Sequence, residues 1–205
     1  MKKLISALAA ASALAAATAA GAAAPTVTLQ QDRQTIIYGG TVSLTGQVTP
    51  AAADQKVTIT QTPQDRAPRS VTVTTESDGT FSYDASPRFN TRAVAKYGTA
   101  TSDELNIFVK PRVVLSKFAR HRFAVRVFAG RPFVGRFVWV QRWNRRAHAW
   151  RNLMRVRLTG YVKSGGASTV SFRLVVRRGT KLRAVVNDAA ARPDYVGNWS
   201  NFVVS

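Results

Sequence analysis

The sequence predicts an all-β chain of two consecutive β-sandwich domains behind a cleavable signal peptide. Three observations predict it: a basic and then apolar leader opens the chain, apolar and polar residues alternate along many short segments, and the charge balance changes near residue 110. The 205 residues include no cysteine. After residue 25 no segment has the sustained periodicity of an amphipathic helix. Because no disulfide can form, each domain must be stabilised by burial alone.

Residues 1–22 are predicted to be the signal peptide. A short basic segment, MKK, precedes an Ala/Leu run that gives way to small residues before Pro25. The run is mostly alanine, which partitions too weakly into lipid for a stable anchor. Pro25 disfavours a cut directly after Ala24, so we expect cleavage after Ala22 or Ala19. The mature protein is therefore expected to be secreted.

Alternation of apolar and polar residues predicts the strands of a first domain, residues 25–110. The segments with their inward residues are TVTLQ (Val27, Leu29), TVSLTGQV (Val42, Leu44, Val48), KVTIT (Val57, Ile59), SVTVT (Val71, Val73), TFSYD (Phe81, Tyr83) and ELNIFV (Leu105, Ile107, Val109). Turn signals such as Gly39-Gly40 and Asp78-Gly79 separate them. This rhythm of short strands is typical of a sandwich.

A second domain, residues 111–205, repeats the rhythm. Its segments are RFAVRVF, RFVWV, MRVRLTG, TVSFRLV and KLRAVV. Phe81 and Phe172 stand 91 residues apart, and the tripeptide Arg-Ala-Val recurs at the same offset from Arg92 to Arg183. KVTIT aligns with FVWVQ at a shorter offset of 81 residues. The two domains are therefore predicted to be diverged copies of one fold.

Charge divides the chain at the same place. Residues 25–110 carry eight basic and eight acidic side chains, whereas residues 111–205 carry twenty basic side chains against only Asp188 and Asp194, a net charge of +18. Such asymmetry indicates two units with different surface roles, joined near Lys110-Pro111.

Two motifs resemble a known family. YGGTVSLTGQVTP (38–50) and ESDGTFSYDASPRFNT (76–91) resemble the bacterial Ig-like or fibronectin-III-like domains found in tandem on exported proteins. The resemblance covers most of residues 25–110 and, more weakly, 111–205. It implies Ig-like sandwiches, glycines at bends and turns at Gly46 and Gly79, and a surface, adhesive or spacer role. It carries over no catalytic residue.

The reactive side chains indicate no catalytic residue, no metal site and no cofactor. His121 and His148 lack the spacing of metal ligands. Asp188 and Asp194 flank one loop and are the remaining candidates for a carboxylate pair, although a loop aspartate beside Ala-Arg-Pro typically caps a turn. The chain is predicted not to be an enzyme.

Seven basic residues are predicted to bind a polyanion. Four arginines alternate with the inward residues of the second domain, so we expect them on one outward face of one sheet, with three further cations fringing it at a turn. The set is Arg126, Arg155, Arg157, Arg173, Arg177, Arg178 and Lys181. Codon bias in a GC-rich genome is an alternative explanation for the many arginines, but it would enrich both domains. The first domain is neutral, so codon bias does not account for the charge of the second.

An aromatic strip predicts an alternative function, that of a carbohydrate-binding module. If Val138 and Val140 face the core, Trp139 and Trp143 face outward, and a turn over 144–147 brings Trp150 opposite or diagonal to Trp143. Exposed rings of this kind stack on sugars or bases. Two structural alternatives are open: a register shifted by one residue would bury these tryptophans, and contact with the neighbouring domain would cover the strip.

The expected location restricts the partners. The sequence predicts a secreted, extracellular protein, either free or attached peripherally to the cell envelope. An anionic envelope polymer, an acidic glycan or an anionic membrane surface is the expected partner. Intracellular nucleic acid is disfavoured by export and by the lack of a predicted helix to enter a major groove.

Overall fold

The computed structural model describes residues 24–205, so the predicted signal peptide lies outside the described residues. Nearly all regular structure in the described chain is β-strand. The exceptions are a short 3-10 turn at Lys163–Gly165 and one helical turn, α1, at Asp188–Ala191. Within residues 24–205, no helix is long and apolar enough to cross a membrane.

Ten strands precede Pro111 and form two sheets. They are β1 (Thr26–Val27), β2 (Gln30–Gln31), β3 (Thr35–Ile37), β4 (Val42–Thr49), β5 (Lys56–Pro63), β6 (Arg69–Thr74), β7 (Thr80–Ala85), β8 (Thr91–Tyr97), β9 (Ala100–Thr101) and β10 (Leu105–Lys110). One sheet has the order β1-β4-β2, with β7 paired to β4. The other has the order β3-β10-β8-β5-β6, with β9 paired to β8.

Nine strands follow Pro111 and form two further sheets. They are β11 (Arg112–Ala119), β12 (Arg122–Phe128), β13 (Phe137–Asn144), β14 (Ala149–Arg157), β15 (Gly160–Val162), β16 (Ala167–Arg173), β17 (Lys181–Val186), β18 (Asn198–Trp199) and β19 (Val203–Val204). One sheet has the order β11-β12-β16-β15, and the other β14-β13-β17-β18 with β19 paired to β17. In the described chain no strand pairs across Pro111.

The two halves share one strand arrangement. The order β6-β5-β8-β10 in the first half corresponds to β14-β13-β17-β18 in the second, and the pair β4 and β7 corresponds to β12 and β16. The repeated Phe81 and Phe172 lie on the corresponding strands β7 and β16, and Ala93 and Ala184 are both fully buried on β8 and β17. The predicted all-β class with two consecutive sandwiches is therefore confirmed.

Alternation places the core between the sheets. The inward residues predicted for β4, β5 and β10 are fully or largely buried, as are Val125, Val127, Val156 and Leu158 in the second half. Phe123 and Phe172 stack there with ring centroids 5.9 Å apart. The predicted strands did not include β11, in which Val113 and Leu115 alternate inward.

The expectation of a bend at Gly46 is wrong, whereas Gly79 lies in a turn as expected, with a φ of +79°. Gly46 lies in the middle of β4, directly opposite Phe81 on β7. A Cβ atom at Gly46 would collide with the Phe81 ring and with the carbonyl oxygen of Thr28. Glycine is thus required by close packing inside the sandwich rather than by a turn.

A buried carboxylate joins the two halves. Asp194, whose side chain is 3% exposed, accepts a 2.7 Å hydrogen bond at Oδ1 from Nη1 of Arg66 in the first half. Nε of Arg131 lies 2.5 Å from Oδ2, a charge contact outside hydrogen-bond geometry. The Arg66 guanidinium also lies 3.5 Å above the ring centroid of Phe89.

Aromatic packing and backbone hydrogen bonds extend this junction. The fully buried ring of Tyr195 lies 5.7 Å from Phe89 and 5.5 Å from Phe133, between centroids. Its hydroxyl oxygen accepts a 2.8 Å hydrogen bond from the Gly130 amide, and burial raises the pKa of Tyr195 to about 12. The backbone amide of Asn90, in the first half, donates a 2.8 Å hydrogen bond to the backbone carbonyl of Asp194.

Candidate polyanion-binding surface

The positive charge of the second half is almost entirely without acidic partners. Among the described residues, Arg131 is the one cation of residues 111–205 within ion-pair distance of a carboxylate, which leaves nineteen of twenty without one. Both acids of this half have internal partners: Asp194 lies in the junction, and Asp188 accepts a 2.6 Å hydrogen bond from the Gly197 amide. An external anion would meet little competition from carboxylates.

The four strand arginines of the predicted polyanion site do not converge on one sheet, and this part of the prediction is wrong. Arg126 on β12 and Arg173 on β16 belong to the sheet β11-β12-β16-β15. Arg155 and Arg157 lie on β14, which pairs with β13 in the other sheet. Because the sheets of a sandwich pack through their inner faces, the two outer faces point in opposite directions.

The outer face of the sheet β14-β13-β17-β18 combines the arginines with the tryptophans. Val138 and Val140 are fully buried, so period-two alternation puts their neighbours on the outer face. The strand registers identify its members, and we call it the aromatic–arginine face: Phe137, Trp139, Trp143, Trp150, Arg155, Arg157, Lys181, Arg183 and Trp199, together with Gln141, Asn152 and Val185. No aspartate or glutamate belongs to it.

Arg183 occupies the centre of this face. Its guanidinium carbon lies 4.4 Å from the ring centroid of Trp150 and 5.5 Å from that of Trp199. Its Nε donates a 2.8 Å hydrogen bond to Oε1 of Gln141, whose amide in turn donates to Asn152 Oδ1 at 2.8 Å. Burial lowers the pKa of the Arg183 guanidinium. The side chain is thus held in place, and part of its desolvation is already complete in the folded protein.

The predicted tryptophans share the face but are half-buried. Trp143 and Trp150 are directly opposite in the β13–β14 register, and their rings meet edge-on with centroids 5.5 Å apart. Trp139 faces Arg155, whose guanidinium carbon lies 4.7 Å from the Phe137 centroid. Each of these three tryptophan rings is therefore partly accessible to a ligand.

The sequence reasoning missed Arg183 and Trp199 as members of the face. Trp199 is 56% exposed, more than any tryptophan of the predicted strip. The sequence did contain a signal for Arg183: in KLRAVV the apolar residues Leu182, Ala184 and Val186 alternate with it, which puts Arg183 on the outer face. The structure buries all three apolar residues. Trp199 lies on a two-residue strand, which is too short for a periodic pattern to identify.

The remaining predicted cations lie at one end of this sheet. Arg177 and Arg178 belong to the loop between β16 and β17, and Lys181 begins β17. Together with the β13–β14 turn they line a recess that also includes Trp143. The predicted fringe thus adjoins the aromatic–arginine face.

The two aspartates considered as a catalytic carboxylate pair, Asp188 and Asp194, contact different residues. Asp188 lies in the first turn of α1 and binds the Gly197 amide, whereas Asp194 binds Arg66 and Arg131. Each carboxylate thus has separate partners. Within residues 24–205 no group of three His, Asp or Glu side chains is arranged to hold a metal ion.

The known structures named below are weakly similar to this chain. No protein-family model and no curated protein matches the chain. The solved structure of a tetra-tandem repeat in the extending region of a large adhesion protein is similar, with 15% identity, a TM-score of 0.37, and coverage of 89% of this chain and 49% of that one. This chain thus spans about half the length of that structure.

Two other structures are similar to a lesser degree. A Salmonella alpha-2-macroglobulin mutant is 19% identical, with a TM-score of 0.32 over 78% of this chain and 13% of that one. A marsupial T cell receptor is 10% identical, with a TM-score of 0.31 over 86% of this chain and all of that one. The fold assignment therefore rests on strand order and register.

Proposed function

We propose that this chain is an exported, non-enzymatic binding protein whose second half docks on an anionic polymer through the aromatic–arginine face. One observation carries the proposal: Arg183 is held between Trp150 and Trp199 on a surface with no acidic residue. The first half, neutral and joined to the second through Asp194, acts as a spacer or as a second binding module.

Charge supports an anionic partner. A net charge of +18 over residues 111–205 costs self-repulsion in the free protein, and a polyanion would relieve it. Guanidinium groups bind carboxylate, sulfate and phosphate through paired hydrogen bonds. Arg155 and Arg157 are exposed on the same face as Arg183 and would extend such contacts along a polymer.

The mixture of rings and cations favours an acidic glycan or a related envelope polymer. Sugar rings stack on tryptophan through their apolar faces, while their acidic substituents need cations nearby. Trp139 directly opposite Arg155 is one such combination, and Arg183 beside Trp150 is another. The two hypotheses from the sequence, polyanion binding and carbohydrate binding, would then describe one surface.

A module for neutral carbohydrate is the second candidate, favoured by the facing pair Trp143 and Trp150. Salt separates the two candidates, because ionic contacts with an acidic polymer weaken as salt rises while ring stacking on a neutral sugar changes little. Heparin and dextran are suitable acidic and neutral probes.

The decisive experiment compares two variants with equal loss of charge, in the chain from residue 23 onward. The first carries Arg155→Gln, Arg157→Gln and Arg183→Gln on the aromatic–arginine face. The second carries Arg122→Gln, Arg126→Gln and Arg173→Gln on the opposite sheet. We expect the first to weaken heparin binding at least tenfold and the second less than threefold. If both variants fold and lose equal affinity for heparin, the polymer is attracted by the overall positive charge of the second half and not by a defined site.

A further inference from the structure

An arginine-lined recess adjoins the aromatic–arginine face. Its volume is about 580 Å³, and it lies between the β13–β14 turn and the β16–β17 loop, beside Trp143. We call it the arginine basin and define it by its six cations: Arg142, Arg145, Arg146, Arg177, Arg178 and Lys181.

No side-chain carboxylate neutralises the charge of the basin. All six cations are exposed, and no aspartate or glutamate lines the recess. Among the described residues, none of the six lies within ion-pair distance of a carboxylate. Six like charges around one recess repel one another, so a dense anion placed among them gains attraction from several at once.

Hydrogen bonds hold the first wall of the basin. The side-chain oxygen of Asn144 accepts hydrogen bonds from the amides of Arg146 at 3.0 Å and Ala147 at 3.2 Å. This local bonding fixes the backbone of the β13–β14 turn. The bases of the Arg145 and Arg146 side chains are thereby set before any ligand binds.

The second wall is held in the same way. The carbonyl oxygen of Arg177 accepts hydrogen bonds from the hydroxyls of Thr180 at 2.6 Å and Ser205 at 2.8 Å. The Thr180 amide donates to the Ser205 hydroxyl at 3.1 Å, and Gly179 takes a φ of +80° that suits glycine. Both loops therefore present their arginines from a fixed backbone.

We propose that the arginine basin binds closely spaced phosphate groups. The proposal deepens the proposed function, on which it rests, by naming phosphate as the anionic group of the polymer. Each phosphate offers several acceptor oxygens, and the planar fork of arginine binds two of them at once. Five of the six cations are arginines, and neighbouring phosphates would engage both walls together.

Phosphate fits the basin better than carboxylate does. A glycan carboxylate carries one charge per sugar, so a recess of this size would admit few of them and leave most of the six cations unneutralised. A condensed phosphate or a phosphate-dense polymer brings several charges into the same volume. The ring of Trp143, which lines the recess, would contact the apolar part of a repeating unit.

Calorimetric titration of the chain from residue 23 onward with tripolyphosphate tests the proposal, with citrate as a carboxylate probe. The basin variant carries Arg145→Gln, Arg146→Gln, Arg177→Gln and Arg178→Gln. The matched control makes the same change at four exposed arginines on the outer face of the other sheet: Arg112, Arg122, Arg126 and Arg173. Circular dichroism and thermal melting establish that both variants fold.

We expect one tripolyphosphate per chain, bound at least tenfold more tightly than citrate. The basin variant should lose at least tenfold in affinity and the control less than threefold. Equal affinity for citrate, or equal losses in both variants, would overturn the proposal. If heparin still binds through the aromatic–arginine face in that case, the phosphate assignment alone falls. If heparin binding is independent of that face while the basin still binds tripolyphosphate, the proposed function falls and the basin stands.

Discussion

Arg66 and Asp194 are 128 positions apart in the sequence and form a 2.7 Å ion pair between the two halves of the protein. The carboxylate is nearly inaccessible to solvent, while the Arg66 side chain is 35% exposed and that of Arg131 29% exposed. One of the two acids in a strongly basic half is thus used to fix the position of that half against its neutral neighbour.

Removal of this carboxylate should destabilise the protein. Asp194→Asn would leave Arg66 and Arg131 facing each other without a counter-charge. We expect the free energy of unfolding to fall by about 2–3 kcal/mol, less than for a fully buried pair because both guanidiniums are about one-third exposed. Urea denaturation measures the change.

The matched control is Asp188→Asn, which removes the same charge but keeps a side-chain acceptor for the Gly197 amide. It should lower the free energy of unfolding by less than about 1 kcal/mol, on the general scale of hydrogen bonds. Equal costs would contradict the structural role of Asp194.

Gly46→Ala should also destabilise the first half. The added methyl group would collide with the Phe81 ring and the Thr28 carbonyl, and overpacking of this kind costs about 1–3 kcal/mol. The matched control is Gly165→Ala, since the nearest atom there, Cε1 of Phe128, is 4.0 Å from the position that the methyl carbon would take. A Gly46→Ala protein with an unchanged urea midpoint would refute the packing argument.

Alkaline pH should weaken the junction through Tyr195. Burial raises the pKa of this phenol from 10.0 to about 12. Its contribution to the stability of the folded protein is therefore fully present below pH 10. Between pH 10 and 12 the unfolded chain loses the proton while the folded chain keeps it, and stability falls as pH rises, by at most about 3 kcal/mol. Urea midpoints at about pH 9 and about pH 11.5, on either side of the unfolded-state pKa, measure the loss. Tyr195→Phe should reduce it, whereas Tyr161→Phe, at an exposed position, should not.

Binding to heparin should depend steeply on salt. If four to six cations contact the polymer, the logarithm of the affinity should fall with the logarithm of salt concentration at a slope of about −3 to −5, by analogy with nucleic acids. Titrations at several salt concentrations give the slope. The variant with Arg155→Gln, Arg157→Gln and Arg183→Gln should have a slope shallower by about 2–3. A slope near zero, with dextran bound equally well, would favour the neutral-carbohydrate candidate.

The strands and their inward faces were predictable because a side chain's direction along a strand depends on local alternation. Val42 and Leu44, or Val138 and Val140, are buried where the period of two puts them. The same rule put Trp139 and Trp143 on the outer face. Strands without a periodic signal, such as β18 with Trp199, were not identified.

The assignment of strands to sheets was not predictable from alternation. The period of two says which side of its own strand Arg155 or Arg126 faces, but not which strand lies beside it. The structure puts β14 beside β13 and β12 beside β16, which divides the predicted arginine set between two faces. It also brings Arg183 to the tryptophans by pairing β17 with β13.

The sequence by itself determined the all-β class, the two-fold repetition, the inward residues of most strands and the concentration of positive charge after Pro111. These properties depend on composition and on neighbours a few residues away. Tertiary structure alone decided that Arg183 lies between Trp150 and Trp199, that two loops enclose the arginine basin, and that Asp194 meets Arg66. Such contacts join residues far apart in the chain, and their partners are selected by the packing of whole sheets rather than by any local pattern.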